Sequence, residues 1–196
     1  MRKSTDQRGF SLIELLATVG IAGVVAAITI PSTTQTVADL RLRGDARALH
    51  NSVGLAKMRA AARFTRERVF VDLAGETFLL QYWDKTGATW VNEDGTTQLS
   101  TGVDFTFGTL ASPPPNTQAT LAQSSACLND AGAAIPNTAC VVFNSRGIPI
   151  DAVGAPTGNT AFYLTDGVGV YGVTLSATPL IRLWWSPASQ TSWVHK

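Results

Sequence analysis

Between Phe10 and Ile30 the chain runs for 21 residues with a single charge, Glu14. At about 1.5 Å per residue, a helix of that length spans roughly 30 Å, which matches the hydrocarbon thickness of a bilayer. A carboxylate inside such a span costs about 2.5–3.5 kcal/mol on insertion scales, so it marks a function or a partner. The run sets an extended helical element at the start of the chain. The remainder of the 196 residues must then supply a head, and 45% hydrophobic content is enough for a real core.

The net charge of +1 hides a division along the chain. Residues 1–9 carry Arg2, Lys3 and Arg8 against Asp6. From Arg41 to Arg68 eight Lys/Arg stand against Asp45 and Glu67, whereas from Val69 onward nine carboxylates face four bases. The pattern reads as a basic stalk joined to a mildly acidic head.

Three classes of N-terminus begin with a basic stretch and an apolar run. A secretory signal peptide wants a shorter apolar core and a small-x-small cleavage site, which ITIPSTTQT supplies only weakly. A plain single-span anchor would hold residues 1–9 in the cytoplasm under the positive-inside rule. Neither explains Glu14.

The residues RGFSLIELL point to a third class. A Gly-Phe junction after a short basic leader, with a Glu four residues past the Phe, closely resembles the processing site of type IV pilins and type II secretion pseudopilins. The resemblance implies that a prepilin peptidase cuts between Gly9 and Phe10 and then methylates the new amino group of Phe10. Pro31 fits the same family, whose helix is commonly interrupted at that position. Cutting leaves a positive α-amine on Phe10, and Glu14 of a neighbouring subunit can pair with it, which offsets the burial of the carboxylate and fixes subunit register. Glu14 and Pro31 are thus the expected assembly residues. The partners implied are other pilin or pseudopilin subunits, the peptidase and an inner-membrane assembly platform. The implied location is the bacterial inner membrane, single-pass, with the head in the periplasm and a filament after assembly.

Beyond Pro31, apolar residues recur as Leu42, Ala46, Leu49, Val53, Ala56, Ala60 and Phe64, steps of three and four that trace one stripe of an amphipathic helix. The spacing predicts a helix to about Arg66, with Pro31 bending or locally melting it by removing one intrahelical hydrogen bond. From Val69 the period changes. RVFVDL, TFLLQYW, TWVNE and VDFTFG read as strands separated by Asp/Asn/Gly turns. A polar, Pro-rich tract from Ala111 to about Ser125 reads as an exposed loop. Strands resume in ACVVFNSRGIPID, NTAFYLTD, VGVYGVTLS and PLIRLWWSP, with TSWVHK closing the chain. About eight to ten strands in two packed sheets are expected.

The expected fold class is α+β: a long N-terminal helix followed by an antiparallel, sandwich-like head. Residues 1–9 form a cleaved leader, 10–30 a transmembrane or filament-core helix, 31–67 an amphipathic helix on the head, and 68–196 the β-rich periplasmic head. The later half, with VVFNSRGIPID and a strand ending in IRLWW, resembles the GspH/FimT family of H-type pseudopilins and related minor pilins.

Cys127 and Cys140 are the only cysteines. A head in the oxidising periplasm favours a structural disulfide, which for a loop of about 14 residues contributes roughly 3 kcal/mol in the chain-entropy model. A metal site is the competing reading, but His50 and His195 are the only histidines and no second Cys pair exists. No Gly-rich phosphate loop follows a strand and no nucleophile–base spacing stands out, so the chain reads as a structural component with no cofactor. Arg59, Arg63 and Arg66 step by four and three and would share a helix face. Some minor pilins of the family that this chain resembles bind DNA through basic residues near the chain end, where this sequence offers Arg182 and Lys196, so a DNA-binding minor pilin acting in DNA uptake is the alternative function. These five residues are the candidate nucleic-acid contacts. An exposed helix face, or contact with acidic heads of neighbouring subunits, is the plainer reading of the stalk arginines.

Overall fold

The computed structural model describes residues 11–93 and 95–196, with residues 28–33 described by backbone alone. The chain divides into two units, residues 1–38 and 39–196. One helix, α1 (Leu12–Arg63, 52 residues), contributes to both. Among the described residues ten strands follow: β1 (Glu67–Asp72), β2 (Thr77–Asp84), β3 (Thr89–Asn92), β4 (Thr97–Gln98), β5 (Thr138–Phe143), β6 (Pro149–Ile150), β7 (Thr160–Thr165), β8 (Gly169–Leu175), β9 (Ile181–Pro187) and β10 (Val194–His195). The fold is α+β, with every strand pair antiparallel.

In the second unit, the apolar stripe of α1 forms the centre of the core. Leu42, Ala46, Leu49, Val53, Ala56 and Ala60 are all buried. The first sheet runs β3-β2-β1-β5-β6, with β4 also on β2; the second runs β10-β9-β8-β7. Register builds apolar rows across each sheet. Leu80, Val69 and Val141 align in the first, and Phe162, Val173 and Leu183 align in the second. Both rows pack with the α1 stripe in one core cluster. The second sheet is covered on its other face too, where Tyr163, Ala161, Val170 and Leu110 gather with Phe107, Leu121 and Trp193. That double burial leaves every residue of β8 buried. Within it Gly172 is required, because a Cβ there would lie 2.9 Å from the Tyr163 ring.

Several expectations need correction. The helix ends at Arg63, not near Arg66. Phe64 takes a left-handed conformation (φ 52°) and is 72% exposed, so it leaves the stripe that the spacing gave it. Of the two effects expected of Pro31, bending or local melting, melting is absent, since α1 runs through it. VDFTFG forms no strand; only Asp104 makes a bridge, to Thr165. The Pro-rich tract has no regular structure but is not simply exposed. Gln123 accepts a hydrogen bond from the Tyr163 N–H (2.9 Å) and donates to the Tyr163 carbonyl (2.9 Å). This side chain does the work of a neighbouring strand and blunts the edge of β7. The Asp/Asn turn chemistry is present as expected: Asp72 accepts from the Ala74 and Gly75 amides, and Asp84 from those of Thr86 and Gly87.

Leu49 sits at the centre of the stripe and is fully buried. Replacing it by Ala should lower the unfolding free energy by about 2–5 kcal/mol. The urea midpoint should fall at an unchanged slope; an unmoved midpoint would contradict the packing described.

Candidate functional site

Two regions carry chemistry, and the first is the N-terminal part of α1. Gly9 and Phe10 lie outside the described residues, as does the side chain of Pro31. Glu14 stands in the first turn of the helix, where a negative charge complements the helix dipole. Around it Leu12, Ile13, Leu15, Leu16, Val19, Ile21, Val24 and Val25 are all exposed. Steps of one, two and three residues put these side chains on every side of the helix, and a helix apolar all round is normally covered by protein or lipid. Among the described residues no helix is long and apolar enough to cross a membrane. The expected span of residues 10–30 includes Phe10 and the side chains of residues 28–30, which lie outside that description.

The second region is the junction between the end of α1 and the first sheet. Arg59 Nη1 pairs with Glu93 Oε2 at 3.0 Å, and Arg63 pairs with the other oxygen of the same carboxylate. Glu67, the first residue of β1, is fully buried beside them, and its carboxyl oxygens accept no hydrogen bond from a protein donor. The Glu93 carboxyl is the acidic group coupled to it, and Glu67 is the one that keeps its proton. Burial chiefly, then the hydrogen bond to Glu93 and the charge of Glu93, push Glu67 up to about 8, with Arg63 and Arg59 pulling the other way. The site is thus a protonated acid and a carboxylate clamped by two guanidinium groups. It fastens the last turns of α1 to β1 and to the segment after β3.

At the next residue, alternation turns Arg68 to the opposite face of the sheet. Arg66 lies past the helix end, 4.4 Å above the Trp83 ring, and Arg68 lies 4.0 Å from Trp90. The arginines expected on one helix face are therefore divided: Arg59 and Arg63 go to Glu93, and Arg66 to the tryptophans. Lys196 sits 5.3 Å over Trp185, and Arg182 lines a separate small groove with Thr174 and Leu180. The structure does not gather these five residues into one basic surface. Sequence reasoning missed Glu67 and Glu93. The available signal was a Glu at an inward position of β1, next to Val69 and Val71.

A disulfide joins Cys127 and Cys140, with Cα atoms 4.9 Å apart. The loop it closes crosses the outer face of the first sheet, where Asp130 accepts a hydrogen bond from the Trp90 amide (2.9 Å). Among the described residues no group of three or more His, Cys, Asp or Glu is placed to hold a metal ion.

Residues 4–30 match the family model of the prokaryotic N-terminal methylation motif. That motif leads into a long helix, and the helix into an antiparallel two-sheet head. The N-terminal segment carries a prokaryotic methylation motif. Two solved structures of the minor pseudopilin EpsH from the type II secretion system of Vibrio cholerae are similar to it at 14% identity. They align over 73% of this chain and over 95% and 92% of their own, with TM-scores of 0.45 and 0.44. No curated protein matches the chain.

The Glu67–Glu93 pair makes stability depend on pH. The folded chain holds the Glu67 proton to about pH 8, and the usual value is 4.5. Between those values the folded state binds more protons than the unfolded state, so stability falls as pH rises through this window. Urea unfolding of wild type should show a midpoint declining from pH 5 to pH 8. Glu67→Gln cannot ionise and should decline less; equal slopes would contradict the proton held by Glu67.

Proposed function

We propose that this chain is a structural subunit of a pseudopilus or pilus, stored in the inner membrane and drawn into a helical filament. The observation that carries the reading is the methylation motif over residues 4–30, leading into a helix whose apolar side chains are exposed on every side. In this reading prepilin peptidase removes residues 1–9 by cutting between Gly9 and Phe10, and Phe10 is N-methylated. Residues 10–30 hold the chain in the membrane and later pack in the filament core. Residues 31–67 join that core to the head, and residues 68–196 form the head on the periplasmic side. An oxidising compartment on that side is consistent with the Cys127–Cys140 bridge.

The assembly step follows from charge. Glu14 is the one charged residue from Phe10 to Ile30. An apolar filament core penalises it unless a cation arrives, and processing creates that cation on Phe10. The pairing is available only between processed subunits in the correct axial register, so one interaction sets both competence and stagger. Assembly on an inner-membrane platform with other pilin-type subunits is the role this supports, and a type II secretion pseudopilus is the setting it fits.

Two substitutions separate the steps. Gly9→Leu should block cleavage, seen as a precursor retaining the leader mass, because the peptidase needs a small residue before the cut; normal processing of this variant would overturn the assignment of the junction. Glu14→Ala should be cleaved normally yet enter filaments poorly, measured as the sheared-filament fraction against the membrane fraction. Assembly at wild-type efficiency would refute the pairing.

A further inference from the structure

The outer face of the first sheet, away from the core, holds a groove of about 810 Å³. Its lining includes Arg66, Arg68, Trp83, Trp90 and the disulfide loop around Asp130. The register explains the grouping: Arg68 lies between Gln81 on β2 and Val142 on β5, while Trp83 faces Trp90 across β2 and β3. The volume is in the range of clefts that bury an organic ligand, larger than a lone ion needs.

Arg68 is the unusual group in this groove. It is only 3% exposed. Its Nε donates to Gln81 Oε1 (2.7 Å) and its Nη1 to the Leu128 carbonyl (2.6 Å), both neutral acceptors. Among the described residues, its Nη2 makes no hydrogen bond and no carboxylate lies within ion-pair distance of it. Burial lowers it to about 10, with Asp130 acting in the opposite direction. A guanidinium desolvated without a contact anion is an unbalanced arrangement, and its fork matches the geometry of a planar oxyanion. Arg66, exposed at the mouth over Trp83, adds a second guanidinium.

The remaining lining limits the ligand. Asp130 and Asp151 match Arg66 and Arg68 in number, so a chain of phosphates would meet repulsion here. The Trp83 and Trp90 indoles and Val142 give the site apolar walls. We propose that this groove binds an organic monocarboxylate joined to an apolar body, with Arg68 Nη2 and Arg66 holding the carboxylate and the indoles covering the body. The end of a polypeptide and a free organic acid share that chemistry. The proposal does not depend on filament assembly.

The test uses the full chain in dodecyl maltoside, with the indole and Arg Nε–H signals followed by NMR. The probes are N-acetyl-leucyl-leucine, its C-terminal amide, hexanoate, and an oligothymidylate. Saturable shifts at the Arg68 Nε–H and both indoles with either acid, at least tenfold weaker with the amide, support the proposal. Binding of the dipeptide alone identifies a polypeptide end as the natural source; binding of hexanoate identifies a free acid. Arg66→Gln, an exposed site where the fold is not at risk, should weaken the acid by about tenfold. Equal shifts with acid and amide, no shift at millimolar probe, an unchanged affinity in Arg66→Gln, or stronger binding of the oligothymidylate at the same signals would each overturn it.

Discussion

One row of side chains on α1 is the surface on which both sheets close. Leu42, Leu49 and Val53 provide apolar volume, and Ala46, Ala56 and Ala60 keep the row low enough for close approach. A larger side chain at an alanine position would hold a sheet away and open voids around it, because interiors have little room to spare. The row is shared: residues from β1, β2, β5, β7, β8 and β9 all join its cluster. Neither sheet has another apolar element of comparable length to cover its inner face.

Much of the rest follows from how that helix stops. Phe64 turns left-handed, and β1 begins three residues later. Strand alternation from that point sends Glu67 inward and Arg68 outward. The inward acid meets Glu93 beneath Arg59 and Arg63, where burial keeps its proton on. The outward base meets Trp90, Gln81 and the disulfide loop. A polar lock inside and an arginine-bearing groove outside therefore come from adjacent residues of one strand.

The sequence made the periodic elements legible and left the irregular ones obscure. Nine of the ten described strands overlap the runs read as strands, because Val, Phe, Tyr and Trp alternate there with turn residues at their ends; β4 is the exception. The α1 stripe was visible through Ala60 for the same reason. Phe64 failed because periodicity does not register a helix stop made by a single left-handed residue. VDFTFG failed because its composition suits a strand but only Asp104 finds a backbone partner. The role of Gln123 at the β7 edge is a contact between residues 40 apart that no local pattern encodes. The divided arginines show the same limit, since a one-turn error in the helix end moved Arg66 to another environment.

At the other end of the chain, the motif over residues 4–30 and the lone Glu14 make electrostatic pairing the centre of the account. The most direct measurement is a solid-state NMR distance in filaments mixed from two labelled populations. One carries ¹⁵N at the Phe10 α-amine and the other ¹³C at the Glu14 carboxyl. The account predicts strong dipolar transfer between the two populations, placing the amine of one subunit within ion-pair reach of its neighbour's carboxylate. Ordered filaments with no such transfer would contradict it.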